Sequence, residues 1–71
     1  MKNEIIFLVE EDPEGGYTAK SLSESIYTQG DNIDELKKNI IDAIDCHFDD
    51  ENKRPPIIRL HYVREEILKY A

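Results

Sequence analysis

Cys46 and His47 stand side by side in this 71-residue chain, and thiol plus imidazole are the groups of nucleophilic catalysis. That chemistry requires the base to face the nucleophile. Adjacent residues on a helix point about 100° apart, so this pair cannot form the couple. The plainer reading is a partly buried cysteine beside a histidine at a helix end. Metal ligation is the next candidate, through Asp42, Cys46, Asp50 and the distant His61. Asp42 and Cys46 share a helix face, but the set matches no known ligand spacing. Cys46 is the only thiol, so neither a disulfide framework nor a CxxC zinc pair can be drawn. Gly15-Gly16 lacks the GxxxxGKS/T frame of a phosphate loop and reads as a hairpin turn. No catalytic, cofactor-binding or metal-ligating residue is assigned, and the chain is expected to bind rather than catalyse.

Charge is the stronger signal. Nine Lys and Arg against sixteen Asp and Glu leave a net charge of −7. Residues 1–52 carry −10 and residues 53–71 carry +3. Such acidity opposes sequence-independent binding of nucleic acid, which needs a basic footprint. A basic protein is the natural partner. Asp42, Asp45, Asp49 and Asp50 fall near one side of a helix and its end, with Asp34 and Glu35 at its start. The bland reading is a solubilising face; the sharper one is a docking surface for Lys and Arg. Tyr27, Arg59, His61 and Tyr62 make a second candidate patch, because Tyr and Arg are enriched in interface cores. Packing within strands is the plainer role of each.

The elements that must carry these residues follow from periodicity. The run Ile5 to Val9 is apolar at every position, so a strand over 4–10 should be covered on both faces. Glu11 to Gly16 is a turn with a proline and two glycines. Tyr17 to Leu22 and Ser25 to Gln29 are the next strands, completing an antiparallel meander. Beyond Gly30, the spacing of Ile33, Leu36, Ile40, Ala43 and Ile44 predicts a helix over about 33–48. Asn32 with Glu35 is one capping pair and Asp31 with Asp34 the alternative. After Pro55-Pro56 comes a fourth strand, Ile57 to Val63, while Arg64 to Tyr70 is open between a short helix and a strand extension.

The order β-β-β-α-β defines an α+β domain with the fourth strand parallel beside the first. One helix covers one sheet face, so the other needs a second copy, a partner or the last segment. A domain this small buries only about 60% of its unfolded surface, which favours a homo-oligomer. The longest apolar run has five residues, against about 20 for a membrane span and about 7–15 for a signal-peptide core. A cytoplasmic protein is expected.

Gly16-Tyr17-Thr18-Ala19, Ile26 to Leu36 and Asn39 to Ile44 together resemble the HicB antitoxin N-terminal domain. The most specific element is Thr28-Gln29-Gly30-Asp31 feeding a capped amphipathic helix, so Gly15, Gly16, Gly30, Asp31, Asn32 and Glu35 are taken as the structural motif. The resemblance spans roughly residues 4–48 and implies a partial ribonuclease-H-like fold. It further implies a non-enzymatic antitoxin that masks a small basic HicA-type mRNA interferase. Ser21 to Ser25 replaces the family's usual Pro-x-x-x-Gly-Cys segment. Only Arg64 to Ala71 follows the fourth strand, too little for the family's DNA-binding module, so direct nucleic-acid binding is not expected. A metal nuclease would require carboxylates in mid-strand, whereas Glu10, Glu11 and Asp12 lie at the exit of the first strand. The rival reading is a small self-associating interaction module without a toxin.

Overall fold

The computed structural model of the chain describes residues 4–64 and 67–70. Its elements are β1 (Glu4–Glu11), β2 (Tyr17–Ser21), β3 (Tyr27–Gly30), helix α1 (Ile33–His47), a 3₁₀ turn at Glu51–Lys53 and β4 (Ile57–Val63). The strands form one mixed sheet in the order β3-β2-β1-β4. β1–β2 and β2–β3 are antiparallel, and β1–β4 is parallel as the crossover through α1 requires. The α+β architecture expected from the sequence is the one observed.

Residues paired across strands share a face, so the register assigns every side chain to a side. Ile5, Phe7 and Val9 pair with Ile58, Leu60 and Tyr62 on one flank, and Phe7 and Val9 with Ser21 and Ala19 on the other. This is the helix side. Ile5, Phe7, Val9, Ala19 and Ile26 are buried there with Leu36, Ile40 and Ile44, one stripe of α1 at a spacing of four. Ile6 and Leu8 point the other way and remain half-buried. The expected cover on both faces of β1 is thus present on one only.

Local chemistry explains where the elements begin and end. Asn32 is the N-cap, its Oδ1 accepting from Glu35 N–H at 2.8 Å, and Asp34 and Glu35 sit favourably in the first turn. The Asp31–Asp34 alternative is not used. Phe48 closes the helix, its N–H donating to the Ile44 carbonyl at 2.9 Å. Gly15 and Gly16 take φ of +109° and +84°, while Asp12 Oδ1 accepts from Glu14 N–H to tighten the turn. Gly30 is needed for another reason. A Cβ there would lie 2.6 Å from Leu36 N, so the glycine lets α1 descend onto the end of β3. Asn39 then pins the helix by donating from Nδ2 to the Gln29 carbonyl at 2.7 Å.

Some boundaries differ from expectation by a residue or two, and one short element is added. β2 ends at Ser21 because its buried Oγ accepts from Ser23 and Glu24 N–H, which turns the chain. β3 consequently starts at Tyr27 rather than Ser25. Asp50 caps the 3₁₀ turn, where a loop is expected, by accepting from Asn52 N–H at 2.9 Å. Arg64 and residues 67–70 are neither helix nor strand. The rest of that ambiguous segment lies outside the described residues. No helix among the described residues is long and apolar enough to cross a membrane.

Candidate functional site

The sheet face opposite α1 is built of short rows set by register. Tyr27 pairs with Lys20, Lys20 with Leu8, and Leu8 with His61, giving one row across all four strands. Arg59 lies beside Ile6, whose carbonyl accepts from Leu22 N–H at 3.1 Å. Gln29, Thr18, Glu10 and Val63 form the next row. The structure therefore does bring Tyr27, Arg59 and His61 onto one face, with Tyr27 and His61 three strand spacings, or about 14 Å, apart. Tyr62 does not belong to that patch. Alternation puts it on the helix side with Ile58 and Leu60. Half-buried Ile6 and Leu8 lie within a rim of exposed Leu22, Tyr27, Ile57 and Val63. Arg59 Nη2 lies 2.8 Å from Glu4 Oε2 on the same face.

The acidic candidates occupy the other side of the molecule. Asp42, Asp45, Asp49 and Asp50 are all exposed. Two of them already have local tasks: Asp45 Oδ1 lies 3.5 Å from Arg54 Nη1, and Asp50 caps the 3₁₀ turn. Arg54 also donates from Nε to the Phe48 carbonyl at 3.3 Å, so this cluster ties the end of α1 to the approach to β4. Asp42 and Asp49 are the members left facing solvent. The acidic patch and the Tyr27–Arg59–His61 patch are consequently separate surfaces.

A third feature escaped the sequence reading. Gly16 and Gly30 approach so closely that a Cβ on Gly16 would sit 2.7 Å from the Gly30 carbonyl oxygen. This brings the β1–β2 turn against the start of α1 and opens a polar recess of about 380 Å³, lined by Asp12, Tyr17, Gln29, Asp31, Glu35 and Asn39. Its three carboxylates suit a cationic side chain. The signal was present in the pairing Tyr17↔Gly30, which a strand-by-strand reading does not supply.

The residues considered for chemistry are scattered. Cys46 is exposed rather than partly buried. His47 Nε2 lies 3.4 Å from Glu24 Oε2, and its ring meets Phe48 edge-on at 4.9 Å. His61 lies on the open sheet face, away from Asp42 and Cys46 on the helix. Glu10 faces that same open side, whereas Asp12 is engaged in the turn. Among the described residues no three His, Cys, Asp or Glu side chains converge as a metal site.

No protein-family profile matches the chain, and no solved structure matches it. Two relatives do. A UPF0150 protein of Archaeoglobus fulgidus is 49% identical over 53 residues, covering 75% of this chain and 77% of the relative. A UPF0150 protein of Thermotoga maritima is 39% identical over 64 residues, covering 90% and 89%. With identity at this level across most of each chain, the protein belongs to the UPF0150 family.

Proposed function

We propose that this protein is a HicB-like antitoxin domain that binds and masks a small basic HicA-type mRNA interferase by protein–protein contact. The observation that carries the reading is the concentration of acid on the helix side. Exposed Asp42 lies on α1 and exposed Asp49 just beyond its end, and Asp12, Asp31 and Glu35 surround a recess wide enough for a cationic side chain. Such a surface acts mainly on association rate and partner choice, through complementarity with Lys and Arg. The Thr28–Asp31 turn, by contrast, serves the fold, since Gly30 exists to admit α1. No step of this role requires catalysis or a cofactor.

The test is co-expression with a small basic HicA-type ribonuclease. A complex that weakens as salt rises, and weakens further in an Asp42→Lys/Asp49→Lys variant, supports the reading. Absence of any complex at low salt overturns it. A second reading, a self-associating accessory module, is favoured by the apolar centre of the open sheet face around Ile6 and Leu8. It expects a homo-oligomer and no toxin.

A further inference from the structure

The two edges of the sheet are built differently. β3 ends it on one side with four residues, Tyr-Thr-Gln-Gly, short and polar enough to discourage further pairing. β4 ends it on the other with seven residues that include no proline, lysine or acid and run beside β1 in unbroken register. Of the features that blunt an exposed edge it has a single charge, Arg59, which Glu4 of β1 already holds at 2.8 Å. Five of the seven residues are large and apolar and fall on both faces, the composition of an interior strand. α1 does not reach this strand, since Ile58 and Leu60 face Lys37, Ile40 and Ile41 across an apolar groove of about 240 Å³. Ile57, Ile58, Tyr62 and Val63 stay 50%, 37%, 55% and 45% exposed, and among the described residues no strand pairs with the outer edge.

We infer that two copies of this chain pair antiparallel along β4, with the two-fold axis at Leu60, into one sheet of eight strands with both helices on the same face. The strand is complementary to itself in that register. Directly opposed residues share a face. On the helix side Ile58 opposes Tyr62 of the second copy and Leu60 opposes its own counterpart; on the open side Ile57 opposes Val63 and Arg59 opposes neutral His61. All seven residues find a partner within β4. Moving the axis to Arg59 sets that residue against itself, like charge on like, and runs Tyr62 and Val63 against Pro56 and Pro55, which have no N–H to give. Moving it to His61 leaves Ile57 and Ile58 without partners in β4. Charge selects the same occupant. The chain carries −7, so two copies approach best along a strand without Asp or Glu, where a basic partner finds no carboxylate to hold. Side chains and backbone along the edge offer on the order of 500 Å² per copy, about 1,000 Å² for the pair, the floor for a specific interface. The contact is isologous and closes at two copies. It stands independently of the toxin reading and uses the edge of the sheet rather than its open face.

The experiment uses the full chain. Sedimentation equilibrium is expected to show a dimer. In Ile58→Lys/Tyr62→Lys each new cation opposes another across the seam, and dissociation is expected to become at least tenfold easier with an unchanged far-UV circular dichroism spectrum. In Ile58→Lys/Tyr62→Glu each cation opposes a carboxylate, and most of that loss is expected to be recovered. Within one copy the two positions are about 13 Å apart along the strand, so the two variants differ little as monomers. Cross-linking then fixes the register. Chains carrying Cys46→Ser with Ile58→Cys are mixed with chains carrying Cys46→Ser with Tyr62→Cys, and oxidation is expected to yield the covalent heterodimer, whereas either chain alone yields none. A wild-type monomer at every concentration overturns both this inference and the self-association reading. A dimer indifferent to Ile58→Lys/Tyr62→Lys overturns the pairing along β4 but leaves association through the open sheet face standing. Equal dissociation of the two charge variants, or a disulfide between like chains, overturns the register and the inference with it. Toxin capture is read separately and bears on neither result.

Discussion

Along β1, Ile5, Phe7 and Val9 lie beneath α1, whereas Ile6 and Leu8, drawn from the same apolar run, stay half-buried on a face that no described element covers. The two sides of one strand therefore have different jobs. The helix side contains the core that makes a single copy fold. The open side sets half-buried Ile6 and Leu8 among Lys20, Arg59 and His61. Phe7→Ala separates the two roles most sharply. Phe7 is fully buried, and its truncation is expected to cost about 3–5 kcal/mol. Leu8→Ala, at a half-buried position, is expected to cost about 1 kcal/mol. Urea unfolding at two protein concentrations checks both values. A Leu8→Ala cost that approaches that of Phe7→Ala and grows with concentration would mean the open face is covered by another chain.

The glycines extend the comparison to the edge where α1 meets the sheet. Gly30→Ala drives a methyl against the Leu36 backbone and is expected to cost about 1–3 kcal/mol by overpacking. Gly15→Ala meets nothing within 4 Å, so only its positive φ opposes the change, at about 1–2 kcal/mol. Thermal melts should rank Gly30→Ala as the more damaging; the reverse order would mean that α1 does not press on β3 in solution. Asn32→Ala removes the cap on the same helix end and is expected to cost about 1 kcal/mol, with Asn32→Asp close to neutral.

What was legible in the sequence was whatever local chemistry decides. The change of period after Gly30, the cap at Asn32 and the glycine turn at Gly15-Gly16 are each written in neighbouring residues, and so is the β-β-β-α-β order they punctuate. Which residues of β1 lie under the helix was not legible, because an unbroken apolar run has no alternation to show which side the helix takes. Nor was the engagement of Asp45 and Asp50, which depends on how Arg54 folds back beneath the end of α1. Residue type alone joins Tyr62 to Arg59 and His61, whereas alternation along β4 separates them. The polar recess depends on Gly16 meeting Gly30, a contact between strands that no single stretch encodes.

The smallest expected effect tests the open face most directly. Arg59 and Glu4 form a 2.8 Å ion pair there, with the Arg59 side chain 55% exposed. In water such a pair is worth about 0–1 kcal/mol, since exposed charges are solvated and screened. A double-mutant cycle of Glu4→Ala and Arg59→Ala should therefore give a coupling below about 1 kcal/mol that fades as salt is added. Breaking a desolvated pair costs far more, about 3–5 kcal/mol, because it strands a buried charge. If either single substitution costs that much, Arg59 is shielded from water in solution. The open side of the sheet would then be an occupied interface, and β1 would be buried on both faces after all.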